Sequence, residues 1–341
     1  MVNLDFSKYS PAEIIHQLSK IEKPEWLQSY FNFLKEFLKN DLISIQTSGT
    51  TGKKKNYQVS KKQMLFSAKG TLKYFNLHKG NTVLLPLSCN FIAGKMMLVR
   101  AIEGKLNLFI VEPTGDPSKY LNRSIDFCAL IPLQVHQIIN SGTISKIKIL
   151  LIGGGNVTNQ LSQKLQKLKV NAFESFAMTE TLTHFALRKA SPIAELFFNT
   201  LEGFKIDTTE SNELIILENE LTKESIKTND IVEKKSETQF KWLGRSDNLI
   251  KSGGIIFIPE EIETKISQYI NKPFVILGVK NEKFGEIIAI VVEGDELINL
   301  NKVNSYLPKF ERIKYQFYLP KFPLTESGKI KRNEIKKLIN A

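Results

Sequence analysis

The sequence predicts an α/β protein: a large N-terminal α/β domain carrying a small β subdomain, followed by a small C-terminal α+β domain. Three observations predict it. Short apolar runs alternate with amphipathic stretches through the first half, the pattern of mostly parallel strands joined by helices. After about Ser191 that alternation gives way to short strands separated by polar turns. A third composition begins after Gly244, with two glycines and a proline-led amphipathic stretch.

In chain order, the apolar runs at 42–45, 82–87, 106–111, 127–131 and 147–153 read as buried strands. Helical spacing at 61–75, 91–102, 133–140 and 159–168 supplies the connections. The β subdomain takes strands at 201–206, 213–217, 231–234 and 239–243. Next, "PEEIETKISQYI" places Pro259 in the first turn of a helix, where its missing N–H costs nothing. Strands at 274–279 and 287–292, a helix at 301–306, a strand at 314–318 and a helix at 331–339 complete the chain. The expected domains are therefore 1–244 and 245–341, with the junction at 244–251.

Composition narrows the function classes. Among 341 residues, 42% are hydrophobic and 24% charged, which is globular rather than disordered. The formal charge of +12 favours anionic partners such as nucleotides and coenzymes. No interleaved basic–aromatic stripe supports nucleic-acid binding. Cys89 and Cys128 cannot build a disulfide framework, and no Cys/His cluster has zinc spacing. The N-terminus lacks a basic region followed by an apolar one, and no run approaches the ~18 apolar residues of a membrane span. A cytoplasmic protein is expected, with oligomerisation left open.

Six segments carry candidate chemistry. "TSGTTGKKK" at 47–55 is not a Walker A loop: only two residues separate Gly49 from Gly52, where that loop needs four, and Lys53 is followed by Lys54. A hydroxyl- and glycine-rich turn after a strand nonetheless offers unobstructed N–H groups to phosphate oxygens. In "LLIGGGNVT", Gly153, Gly154 and Gly155 separate a strand from a helix, where backbone can approach a flat ligand. "ESFAMTETLTH" sets Glu180 beside Thr179, a carboxylate suited to magnesium. "KTNDIVE" puts Asp230 in a turn entering a strand, an acceptor for ribose hydroxyls. Arg245 and Asp247 fall at the domain junction, and Lys329 follows a glycine-bearing turn in "PLTESGKIKR".

Taken in order, these segments resemble the adenylate-forming family of acyl-CoA synthetases, aryl-CoA ligases, luciferases and peptide-synthetase adenylation domains. The resemblance runs from about 43 to 332. It implies ATP- and Mg2+-dependent activation of a carboxylic acid as an acyl-adenylate, then transfer to coenzyme A. It also implies a mobile C-terminal domain. On the matching positions, Thr47, Ser48, Gly49, Thr50, Thr51, Gly52 and Lys53 are implied to hold the β- and γ-phosphates. Gly153, Gly154, Gly155, Phe176, Asp230 and Arg245 are implied to bind the nucleotide. Thr179 falls near the α-phosphate, Glu180 is the implied magnesium ligand, and Lys329 is the implied catalytic lysine of adenylation. Asp247 matches the hinge, and Ser252, Gly253 and Gly254 match the segment implied to meet coenzyme A.

The chain departs from the family pattern in places. Phe176–Ala177 replaces the usual Tyr–Gly, Thr228–Asn229–Asp230 replaces Thr–Gly–Asp, and Phe91 takes the gating position after "LPL". The region ahead of the phosphate segment is short, so the large domain is expected to lack much of one N-terminal subdomain. That shortness, with "FIAGKMMLVRA" and "VEPTGDP", is similar to compact o-succinylbenzoate–CoA ligases of menaquinone (vitamin K2) biosynthesis. Such an acid keeps a second carboxylate that needs a cation or donors. Phe91, Lys95, His184 and Arg188 are the candidates for the acyl pocket. Two alternatives stay open: another aryl or fatty acyl-CoA synthetase, and a non-catalytic acyl-adenylate-binding protein. Retention of Glu180, Arg245 and Lys329 argues against the second. The thiol acceptor is free coenzyme A or a carrier protein.

Overall fold

A computed structural model describes residues 1–46, 56–325 and 330–339. The expected phosphate segment (Thr47, Ser48, Gly49, Thr50, Thr51, Gly52, Lys53) and Lys329 lie outside the described residues. The fold is mixed α/β, with a large N-terminal and a small C-terminal domain. By contacts, the chain forms two compact units. One is Met1–Val157, Lys164–Lys205 and Leu217–Ile226; the other is Thr158–Gln163, Ile206–Ile216 and Lys227–Ala341. The junction expected at 244–251 falls within the second unit.

The first unit contains β1 (Val2–Asp5), β2 (Leu42–Gln46), β3 (Asn56–Ser60), β4 (Thr82–Leu85), β5 (Asn107–Ile110), β6 (Ile125–Leu130), β7 (Ile147–Ile152), β8 (Ala172–Ala177), β9 (His184–Ser191) and β10 (Phe198–Thr200). Its main sheet runs β1-β5-β4-β6-β7-β8-β9-β10. The central strands β5, β4, β6, β7 and β8 are parallel, while β1 and β9 are antiparallel to their neighbours. Val83, Leu85, Leu108, Ile110, Phe127, Leu150 and Ile152 are fully buried, as continuous apolar strands covered on both faces must be.

The run at 42–45 behaves differently from the expectation that placed it among these strands. In Leu42–Gln46, Ile43 and Ile45 are buried while Leu42 and Ser44 are exposed. That period of two suits a half-solvated antiparallel pair, and β2 pairs with β3 in its own two-stranded sheet. Helix α1 (Pro11–Ser19) starts on a capping box in which Ser10 and Glu13 satisfy each other's backbone N–H groups. Helix α2 (Glu25–Lys39) buries Leu27, Tyr30, Phe33, Leu34 and Phe37 along one face. Helices α3 (Lys61–Tyr74) and α4 (Ile92–Glu103) follow, and α5 (Pro132–Asn140) connects β6 to β7. Helix α6 (Asn159–Lys167) lies between β7 and β8.

In the second unit, β11 (Ile206–Thr208), β12 (Glu213–Ile216), β13 (Ile226–Ser236) and β14 (Gln239–Arg245) form one stretch of sheet in the order β14-β13-β12-β11. A further sheet joins β15 (Ile250–Ser252), β16 (Ile255–Phe257), β17 (Phe274–Asn281), β18 (Gly285–Glu293) and β19 (Tyr315–Leu319). Helix α7 (Pro259–Ile266), with Pro259 at its first position as expected, packs Ile262 and Ile266 against Ile276, Ile288 and Ile290. Helices α8 (Leu300–Asn304) and α9 (Arg332–Ile339) close the unit.

Candidate active site

Because β4, β6, β7 and β8 run parallel, the segments after them emerge at one edge of the sheet. In open α/β sheets that carboxyl edge is where ligands bind. Here it carries Phe91 after β4, the glycines after β7, and Thr179 and Glu180 after β8. The register Ile152↔Glu174 sets Gly153 beside Ser175, whose hydroxyl donates to the Ile152 carbonyl at 3.0 Å. A Cβ on Gly153 would lie 2.7 Å from that hydroxyl, and Gly154 sits at φ +76°. A side chain at Gly153 would displace that hydroxyl and one at Gly154 would be strained, so glycine keeps the backbone bare at the edge. Phe176 is held edge-on by Phe185 and Phe198, with ring centroids 5.7 and 5.4 Å away.

Glu180 is exposed and makes no ion pair among the described residues. No cluster of three or more His, Cys, Asp or Glu among the described residues could hold a metal. A cation here must accept one carboxylate and complete its shell with water and phosphate oxygens, as Mg2+ does. Glu180 fits that requirement.

The acyl-pocket candidates fall in contrasting places. Phe91, at the N-cap of α4, is 36% exposed at the sheet edge. Lys95 donates to the Ser44 carbonyl at 3.0 Å and lies over the Phe33 ring. Arg188 grips the Glu174 carboxylate through Nε at 2.8 Å and Nη2 at 2.6 Å, and stacks on Phe198. Burial pushes the Glu174 carboxyl up, while Arg188 and the Val157 N–H pull it down. His184 is buried between the Thr71 and Thr183 hydroxyls, at 3.2 and 3.3 Å. Burial, reinforced by the field of Arg100, holds its imidazole well below the ordinary value, hence neutral.

Arg100 went unnoticed in the sequence. On α4, it is 3% exposed, donating through Nε to Thr71 at 3.1 Å and through Nη2 to Thr183 at 3.0 Å. No carboxylate pairs with it among the described residues. Burial depresses its guanidinium to about 10, so it stays charged at neutral pH. Thr183 precedes His184, which pairs with Ala177 at the end of β8, so the Arg100 guanidinium lies beside the segment that follows β8. Its residue type and helical position carry no motif; a cation inside an apolar helical run was the available signal.

In the second unit, Asp230 lies inside β13 rather than in the turn expected of it. The alternation of buried Thr228 and Asp230 with exposed Asn229 explains the strand. Asp230 accepts from the Trp242 indole at 3.0 Å and faces Arg245, its register partner, at 3.6 Å. Arg245 forks onto Asp247 with two bonds of 3.0 Å. Burial works against the Arg245 charge, and the Asp247 hydrogen bond with the fields of Asp230 and Asp247 overcomes it. Asp247 sits in a single 3-10 turn, Ser246–Asn248. After Ser252, Gly253 and Gly254 form the two-residue link between β15 and β16, at φ +58° and +82°. Lys329 lies outside the described residues, but its flanks are pinned. Leu324 bridges Ile330, Lys331 N–H donates to Pro323, and Arg332 pairs with Glu263 at 2.5 Å.

The profile of the AMP-binding enzyme family matches residues 7–201. The chain belongs to that family. Among relatives, a 2-succinylbenzoate–CoA ligase of Staphylococcus epidermidis is 23% identical over 369 aligned residues, covering 95% of this chain and 78% of that protein. A protein of the same species named as a long chain fatty acid–CoA ligase, VraA, is 27% identical over 377, covering 96% and 80%. Among solved structures, Bacillus subtilis o-succinylbenzoate coenzyme A synthetase (MenE), in complex with ATP and magnesium ion, superposes with a TM-score of 0.74 at 18% identity, covering 98% and 83%. No described helix is long and apolar enough to cross a membrane.

Proposed function

We propose that this chain is an ATP-dependent carboxylate–CoA ligase working through an acyl-adenylate, with o-succinylbenzoate as its acid. Family membership supports the ligase chemistry. Arg100 carries the choice of acid. A guanidinium enclosed at the sheet edge with two hydroxyls and no carboxylate is costly in an apolar setting and is relieved by an incoming anion. A dicarboxylate brings that anion on the end not activated. A fatty acid does not, although the VraA relative keeps it as the second reading.

In the first half-reaction, one carboxylate oxygen attacks the α-phosphorus of ATP and pyrophosphate leaves. The nucleophile is already an anion, so no general base is required. Gly153, Gly154 and Gly155 present bare backbone to the nucleotide, and Phe176 presents a ring braced by Phe185 and Phe198. Glu180 would hold Mg2+, which supplies charge stabilisation for the departing pyrophosphate. Asp230 and Arg245 are assigned to the ribose and phosphate, residues 47–53 to the β- and γ-phosphates, and Lys329 to the α-phosphoryl charge. In the second half-reaction a thiol attacks the acyl carbon, the thiol proton departs, and AMP leaves. The domain beginning at 245 turns about Asp247 to bring Ser252, Gly253 and Gly254 to coenzyme A.

Thioester formation across a panel of aryl, fatty and dicarboxylic acids with ATP and coenzyme A tests the assignment. Turnover of o-succinylbenzoate above the monocarboxylates is expected; turnover of fatty acids alone would replace the acid and keep the ligase. Lys329→Ala should abolish pyrophosphate release while sparing thioester formation from supplied acyl-adenylate, and equal loss in both would sink the role of Lys329.

A further inference from the structure

The turn carrying Thr179 and Glu180 is closed by a side chain with no assigned role. Thr181 is 0% exposed, and its hydroxyl meets three backbone atoms. The oxygen lies 3.4 Å from the Met178 N–H, 3.2 Å from the Met178 carbonyl and 2.7 Å from the Thr183 carbonyl. One hydroxyl therefore spans the first and last residues of the segment 178–183, with Thr179 and Glu180 between them. Backbone bonds tighten the same turn: Leu182 N–H to Thr179 at 2.9 Å, and Thr183 N–H to Thr181 at 2.7 Å.

The turn is strained. Leu182 holds φ +63° while 98% of its surface is buried, a left-handed conformation a branched aliphatic residue rarely adopts. Such backbone persists when its surroundings over-determine it, and it concentrates at functional sites. Leu182 anchors the turn by burial, and the Thr181 hydroxyl closes it. The far end is fixed in turn, because the Thr183 hydroxyl receives the Arg100 guanidinium. Glu180 itself is exposed and has no ion pair among the described residues, so its own contacts do not fix its direction.

We infer that Thr181 is a positioning residue: its hydroxyl closes the strained turn that aims Glu180 at a phosphate-bound divalent cation and Thr179 at the phosphoryl group. It touches neither itself. The inference rests on the proposed function for what Glu180 binds, and its test does not require turnover.

Preformed Mn2+·ATP, held limiting, is titrated with protein, and the enhancement of water-proton relaxation on its binding is followed for wild type, Thr181→Val and Thr181→Ser. Valine keeps the shape without the hydroxyl, and serine keeps the hydroxyl. Thr181→Val should weaken retention of Mn2+·ATP about 10-fold, with Thr181→Ser near wild type, the scale expected when a ligand's supporting shell is lost. Amide exchange at Leu182 and Thr183 should accelerate in the valine variant alone. Wild-type Mn2+ binding in Thr181→Val, or equal impairment in both variants, overturns the inference. So does a loss that merely tracks the unfolded fraction measured by circular dichroism. Pyrophosphate release, measured in parallel, should fall in Thr181→Val. If wild type activates no acid in the panel, the ligase assignment fails while the Mn2+ comparison still decides the role of Thr181.

Discussion

Arg188 and Arg100 occupy the same unit and are satisfied in opposite ways. Arg188 grips Glu174, which also receives the Val157 N–H at 2.9 Å, so charge and donors are balanced within the protein. Arg100 has only the Thr71 and Thr183 hydroxyls to accept from it, and its charge is left uncompensated. The first arrangement fastens β8 to β9 and to the residues after the glycine loop. The second has the composition of a binding site: a cation held in place and short of an anion. Residue type is the same, and the more deeply buried of the two, Arg100, is the one without a carboxylate among the described residues, so the partner decides the role.

Substitution should separate the two. The largest effect is expected from Glu174→Ala, which strands Arg188 and frees the Val157 N–H. Arg188 keeps a quarter of its side chain exposed, so the cost falls below that of a fully buried pair, at about 2–3 kcal/mol, readable as a drop in the urea midpoint. Arg100→Met should leave the urea midpoint level or raised, because it removes an uncompensated buried charge. The same variant should lower kcat/KM for a dicarboxylate about 100-fold, equivalent to ~2.7 kcal/mol, and for a monocarboxylate far less. Equal losses on both acids would return Arg100 to the structural class.

Glu260 extends the comparison to an acid. It is 6% exposed, accepts from Asn248 through Oε1 at 2.5 Å, and its Oε2 has no partner among the described residues. Burial raises its carboxyl above the ordinary 4.5, with Arg332 opposing and Glu263 adding to the rise. A raised acid contributes stability that is complete below the unfolded value and is lost as pH climbs through the folded one. The stability difference between Glu260→Gln and wild type should therefore grow in favour of glutamine as pH rises from about 4.5 and level off above the raised folded value. A pH-independent difference would remove the buried acid from the account.

The parallel strands were legible because a strand covered on both faces must be a continuous apolar run, and 127–131 and 147–153 are such runs. The run at 42–45 misled by hydropathy alone: the polar Ser44 breaks it and marks the alternation that sends β2 to β3. Helix α1 was announced by Ser10, Pro11 and Glu13, a capping signature that apolar periodicity overlooks. Strand β9 was obscured by Arg188 and Lys189, because a charged residue in a strand becomes intelligible only with its partner, and Glu174 lies 14 residues away. The site divides along the same line. Segments whose chemistry is local could be named from sequence. Arg100 and Thr181 could not: Arg100 is defined by hydroxyls 29 and 83 residues distant, and Thr181 by the closure of a turn.

The stem formed by β2 and β3 brings Gln46 and Asn56 together as paired residues, so the connection 47–55 begins and ends at one place on the unit. The stem, rather than the connection, bears the entropy of bringing those ends together. The fold therefore fixes both ends of that connection on a two-stranded sheet separate from the main one.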